Sequence, residues 1–427
     1  MSREMKESGI DWIGSIPESW NTIKFKYLHG GMNTGEGIDK NFWSNEPTDR
    51  LFYTAGINPI RTNYEDFPEW KYTKENDLLL ARNGTPYIYI PYPNACYTDH
   101  IIRATMNESV NKRFVQYGLQ CSIASVVVDS VSLATWSASL WNKQVIAWPS
   151  AEEQERIVSF LDEKCAHIDS VLEKTRNSIE EYKKLKQAVI TQTVTKGIRT
   201  DTGRIMKDSG IKWIGEMPDN WKLVPFRRIL KERNEKNSPI KSKERLSLSI
   251  DLGVTLYSEK TTNLDRFKEN FEQYKMAHKG DLVMNSMNMI VGASGQSKYY
   301  GCVSPAYYTF YDETEDHCTA KFCEYVFRSK TMLRILFSLG KGIYAILRGD
   351  DKVNTCRLKV SKEDLKSIVI PVPPLEEQRE ITTFLNEKCN QINKIIEKKE
   401  QFISELEKYK KSLIYEYITG KKEVPEP

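Results

Sequence analysis

Apolar positions along this chain follow two rhythms. Over 150–196 and again over 374–420 they return every three or four residues, the spacing that gathers one face of a helix. Elsewhere they come in short β-like runs separated by Gly, Pro and Asn. The first long run sets Leu161, Ile168, Thr175, Tyr182 and Val189 at heptad position a and Cys165, Leu172, Ile179, Lys186 and Thr193 at d. The second sets Leu385, Ile392, Lys399, Leu406 and Leu413 at a and Cys389, Ile396, Ile403, Lys410 and Tyr417 at d. Spacing of this kind makes a coiled-coil seam, and each helix of about 45 residues is roughly 65 Å long. Lys186 and Lys410 hold equivalent seam positions, for register or for a rim where the stem packs and the ammonium reaches water.

The helix ends carry signals of their own. Ser150 precedes Glu153 by three, a capping box in which hydroxyl and carboxylate each satisfy a free amide. Pro374 replaces Ser150 in the second helix and suits a first turn. Gly197 and Gly420 follow the last apolar positions as stops.

A mixed segment precedes each helix. In 20–148 the strand-like runs are Leu51–Tyr53, Asp77–Ala81, Tyr87–Ile90, Ile101–Ala104, Ile123–Val128 and Gln144–Trp148, with helix expected at Asn111–Leu119 and Leu133–Trp141. The segment 221–372 has a similar rhythm and a different sequence, with a helix expected at Ala320–Leu339. One point of register survives: Asp77-Leu78-Leu79 is echoed by Asp281-Leu282-Val283.

The chain is written twice. At an offset of 224, residues 152–195 match 376–419 at 18 of 44 positions. At an offset of 201, residues 6–25 match 207–226 at 10 of 20, including Gly9, Trp12, Gly14, Pro17 and Trp20. These entry segments read as pieces tacked to their domains by Trp anchors. The organisation expected is 1–149, a first domain with its entry segment; 150–196, a helix; 197–373, a second entry segment and domain; 374–420, a second helix; and 421–427, a tail. Antiparallel packing of the helices is simplest, since parallel packing makes the second segment span back over a whole helix. The fold expected is therefore α+β: two similar domains separated by two long antiparallel coiled-coil helices, related by a pseudo-twofold. Such symmetry matches duplex DNA, whose backbone dyad lets two related modules contact separated half-sites.

Composition permits this without demanding it. The formal net charge is +4 over 427 residues. Polar and basic side chains cluster in one loop region of each segment: Arg61, Arg82, Asn83, Thr85, Tyr87, Tyr89 and Arg103 in the first, Asn285, Ser286, Asn288, Gln296, Ser297 and Lys298 in the second, with Arg348 further on. Arg and Lys pair with guanine edges or phosphates, Asn and Gln with adenine. The 8 cysteines form no Cys-x-x-Cys, and no signal or membrane-length apolar run is seen, which points to a cytoplasmic chain with reduced thiols and no membrane. His317, Cys318 and Cys323 lack a fourth ligand for a metal site, so no metal is expected.

The entry segments SGIDWIGSIPESW (8–20) and SGIKWIGEMPDNW (209–221), with the helix starts WPSAEEQERI (148–157) and VPPLEEQREI (372–381), resemble those of type I restriction–modification specificity subunits. The resemblance covers essentially the whole chain. It implies two target-recognition domains, each reading half of a split, asymmetric sequence in double-stranded DNA. It also implies helices that set the spacer and dock two modification (methyltransferase) subunits, with restriction (motor–nuclease) subunits joining the complex. S-adenosylmethionine, ATP and Mg are then expected on the partner subunits and no cofactor on this chain. Chemistry in the chain itself is not expected. The Pro-Pro at 373–374 follows Val372, where a base-flipping methyltransferase motif needs Asn or Asp, and the Gly30–Gly35 spacing runs into Glu36 where a phosphate loop needs Lys. The alternative is a coiled-coil scaffold that binds proteins without sequence-specific DNA binding.

Overall fold

The structure, a computed structural model, describes residues 3–83, 86–127, 135–198, 203–250, 252–260, 270–314, 316–343, 346–347, 353–354 and 357–425. It divides into two units, Met1–Arg176 with Glu400–Pro427, and Asn177–Lys399.

In the first unit the entry segment folds as a hairpin, Met5–Glu7 against Ser15–Pro17. Four strands follow: β1 His29–Thr34, β2 Asp77–Ala81, β3 Ile88–Tyr89 and β4 Ile101–Met106. They form an antiparallel sheet in the order β1-β4-β2-β3. Every residue of β2 is buried. Leu78 and Leu80 pack with Phe25, Val115 and Ile146 on one face, while Leu79 and Ala81 pack with Phe52 and Tyr97 on the other. Alternation along a strand explains how one continuous apolar run serves two cores. Helix α1, Lys112–Val127, covers the first face. The strand expected at Ile123–Val128 is instead the last turn of α1, with residue 128 outside the described residues. Its β-branched residues suggested a strand, and packing on the sheet overrode that preference. The helix expected at Leu133–Trp141 is Ala138–Lys143, capped by Ser137, whose hydroxyl accepts from the Leu140 amide.

Helix α2, Ala151–Lys196, passes from the first unit into the second. The second unit repeats the plan. Its entry hairpin pairs Met206–Asp208 with Glu216–Pro218. Strands β5 Lys231–Glu232, β6 Leu282–Asn285, β7 Ser294–Gln296 and β8 Tyr307–Tyr311 take the order β5-β8-β6-β7, the same as in the first sheet. The single helix expected at Ala320–Leu339 is two, α3 Cys318–Arg328 and α4 Lys330–Leu339. The break is at Ser329, whose backbone is extended and whose hydroxyl donates to the Val326 carbonyl at 2.7 Å. The second long helix, α5, is Leu375–Ile418.

The long helices run antiparallel in each unit. In the first, Leu161, Ile168 and Leu172 pack with Leu413 and Tyr417, and Ile403 lies half-buried beside them. Lys410 clasps Asp169 at 2.7 Å and Arg176 meets Glu407 at 2.6 Å, so numbers rise on α2 as they fall on α5. In the second, Ile190 and Val194 pack with Ile381 and Leu385, while Lys186 donates to Asn393 at 2.7 Å. Ile179 and Ile392 are buried and Ile396 half-buried. The two seam lysines thus make the same reach to the facing helix, onto residues 224 apart.

The cap signals are corrected in detail. Ser150 accepts from the Glu153 amide at 3.3 Å, but the Glu153 carboxylate does not return the bond. It accepts from Trp20 Nε1 at 2.8 Å and pairs with Arg3. Glu377 does the same with Trp221 at 2.9 Å and Arg204 at 2.6 Å. Indole and guanidinium donors outcompete a solvated amide for a half-buried carboxylate. Pro374 sits just before the first helical residue, where its carbonyl accepts from the Gln378 amide at 3.0 Å. Gly197 and Gly420 do end the helices, at φ +84° and +71°, a backbone that favours glycine.

Candidate nucleic-acid interface

In the first unit the loop after β2 carries part of the expected set. Arg82 is half-buried and its guanidinium donates to the Asp99 carbonyl at 3.5 Å, a long and yielding contact. Asn83 meets His100 at 2.7 Å. Thr85 lies outside the described residues. The Tyr87 and Tyr89 rings lie tilted with centroids 6.2 Å apart, and the Tyr53 ring lies 5.7 Å from that of Tyr89. Burial pushes the Tyr89 phenol up to about 12, and its hydroxyl is spent on the Gly56 carbonyl. Arg61 is tied to the Asp49 carbonyl. Arg103 is 6% exposed, with its guanidinium on the Trp70 and Tyr72 carbonyls at 3.1 and 2.9 Å and 3.7 Å from Asp77. That burial removes Arg103 from the solvent-facing set and makes it a strut beneath the loops.

In the second unit Asn285 is buried, and its side-chain oxygen accepts from the Met287 amide at 3.0 Å, shaping the loop after β6. Ser286 and Ser297 are buried with it. Gln296 is held by the His317 carbonyl at 2.8 Å. Asn288 and Lys298 are the members of this set that stand exposed. Arg348 lies outside the described residues. Asn285, Ser286, Gln296 and Ser297 therefore build the platform, and Asn288 and Lys298 are what it presents.

Other side chains reach solvent that polarity did not flag. Trp70 is 61% exposed, and Lys40 lies over the half-exposed Trp43 ring. In the second unit Leu252 is 77% exposed and Val291 50%. Cations beside exposed aromatic rings suit nucleic acid, and aliphatic tips suit thymine methyl groups.

Each mixed domain is bolted to its helix. Asp162 on α2 accepts from the Tyr117 hydroxyl at 2.6 Å and pairs with Arg113 at 2.7 Å. Its counterpart Asn386 on α5 accepts from the Tyr325 hydroxyl, also at 2.6 Å. A hydrogen bond at the same place in both copies fixes each sheet and its loops to a long helix.

Among the described residues the thiols are placed as core groups. Burial pushes Cys96 and Cys318 up to about 11 and Cys121 to about 12, so they are protonated at neutral pH. Among the described residues no cluster of His, Cys, Asp and Glu could hold a metal, and no helix is long and apolar enough to cross a membrane.

Residues 218–405 match the family model described as the type I restriction modification DNA specificity domain. A solved structure described as the structural basis of complex assembly and conformational transition of the type I R-M system has the same fold. It has a TM-score of 0.63 at 14% identity, over 95% of this chain and 99% of that one. The HsdS subunit from Thermoanaerobacter tengcongensis aligns at 14% identity over 95% and 98%, with a TM-score of 0.46. The S subunit of the type I system from M. genitalium aligns at 12% over 93% and 96%, with a TM-score of 0.40.

Proposed function

We propose a function from the premise that this chain belongs, through residues 218–405, to the type I restriction–modification DNA specificity family. It is a sequence-specific DNA recognition subunit that performs no chemistry itself. Each recognition domain reads one half of a split target, and the paired helices α2 and α5 set the spacing. The observation that carries this is the repeated sheet order with unlike loops: the same frame holds Arg82 and Asn83 in one copy and Asn288 and Lys298 in the other. Two readers of one fold and different surface call for two different half-sites.

The partners on this reading are duplex DNA, two modification subunits that methylate adenine, and motor–nuclease subunits. S-adenosylmethionine, ATP and Mg²⁺ belong to those subunits. Binding of the chain with its modification partner to duplex DNA should weaken steeply with salt, since phosphate contacts release counterions. Arg82→Ala and Lys298→Ala should each weaken it by about 1–3 kcal/mol if they touch base edges, with relaxed sequence preference at one position only. Binding that is indifferent to salt and to both substitutions would contradict the reading.

A further inference from the structure

In the second unit a cleft of about 880 Å³ opens between the last turns of α2, the entry hairpin and the start of α4. Trp213, Ile214 and Met206 give it apolar walls. Three of its polar atoms, Gln187 Oε1, Thr191 Oγ1 and Thr331 Oγ1, are buried without a hydrogen-bond partner. Among the charged groups lining it, Lys184 is paired with Glu181 at 2.8 Å. Lys196, Lys330 and Arg334 then stand against the one carboxylate of Glu216. The cleft is apolar in its walls and cationic at its rim.

The first unit shows what fills such a place. Tyr415 is the counterpart of Thr191 at the helix offset of 224, and Trp12 and Ile13 are the counterparts of Trp213 and Ile214 at the entry offset of 201. There the Tyr415 ring lies 6.5 Å from that of Trp12, and its hydroxyl donates to the Ile13 carbonyl at 3.3 Å. Lys421 sits over the same ring at 5.0 Å. Thr191 is too short to do any of this. The volume that a phenol occupies in one copy is open in the other.

We propose that this cleft takes an acidic peptide segment carrying a tyrosine, supplied by a partner protein. The ring enters beside Trp213 where Thr191 leaves room, and the flanking carboxylates meet Lys330 and Arg334. A DNA backbone would satisfy the cations but leave the half-buried Trp213 wall uncovered. The inference goes beyond the DNA reading and does not depend on which bases are read.

The test uses the full chain and a fluorescein-labelled peptide, Asp-Glu-Asp-Tyr-Glu-Asp-Glu, with an alanine-for-tyrosine control. Anisotropy should show the tyrosine peptide binding at least tenfold tighter than the control. Thr191→Tyr should weaken binding at least tenfold while raising the melting temperature, because the new ring plugs the cleft as Tyr415 does. Lys330→Glu with Arg334→Glu, both exposed positions, should also weaken it at least tenfold without altering the fold by circular dichroism. Equal binding of the two peptides, or binding unmoved by the charge reversals, overturns the proposal. So does a lower melting temperature in Thr191→Tyr, which would mean the cleft is already filled. Random duplex DNA that displaces the peptide and is itself weakened by Thr191→Tyr would reassign the cleft to nucleic acid.

Discussion

At the scale of single residues, the same polar clasp closes both repeats. Glu153 and Glu377 each hold an indole and a guanidinium from the entry segment, and Arg204 also lies over the Trp221 ring at 5.7 Å. Glu377→Gln should lose about 2 kcal/mol of stability, since charge-assisted bonds to a half-buried carboxylate are among the stronger ones, and denaturant unfolding measures it. Glu232 gives a pH test. Burial alone would raise its carboxyl, yet Lys362 and Lys366, both at 2.5 Å, hold it below the usual carboxylate range. A folded value below the unfolded one means stability present above about pH 4.5 and lost as pH falls through the folded value. Glu232→Gln should therefore cost about 1 kcal/mol at pH 7, and the difference from wild type should shrink as pH falls below about 4.5 and vanish only once pH is below the folded value, as followed by thermal melts. The Trp residues were readable as anchors from their size and spacing. The carboxylates that fasten them were not, because nothing local joins Trp20 to a residue 133 positions away. Arg103 shows the same limit: composition marks it as a DNA-contacting type, and only strand pairing, which sets it opposite Leu79, brings its guanidinium within 3.7 Å of Asp77.

At the scale of elements, the long helices were the most readable part. A heptad sustained over a whole helix leaves one face to bury, and Leu161 and Leu385 are fully buried. Leu161→Ala and Leu385→Ala should each cost about 2–5 kcal/mol, and the melting of each variant checks it. Loss of less than 1 kcal/mol at either would show that the seam is not a packed core. Short apolar runs were harder. Turn signals bound Asp77–Ala81 and mark it as a strand, whereas the end of α1 reads as a strand from sequence because Ile and Val suit both. The break at Ser329 was invisible, since Ser is tolerated within helices and it is the bond to Val326 that ends α3.

At the scale of the whole molecule, duplication was readable because Gly, Pro and Trp keep their spacing in the entry segments while the helices keep their seam. The target bases were not, because the reading loops share a frame and almost no sequence. If the helices act as a ruler, inserting seven residues after Arg176 and seven after Glu400 keeps the heptad phase and adds roughly 10 Å, about three base pairs at 3.4 Å each. A methylated motif that keeps its old spacer would contradict the ruler. The central claim is that two domains read two half-sites independently. The direct measurement is long-read sequencing of adenine methylation in a host expressing the modification partner with this chain, or with a chain whose residues 20–148 come from a homologue of different specificity. The account predicts a change in one half of the methylated motif, with the other half and the spacer intact. A change in both halves would contradict it.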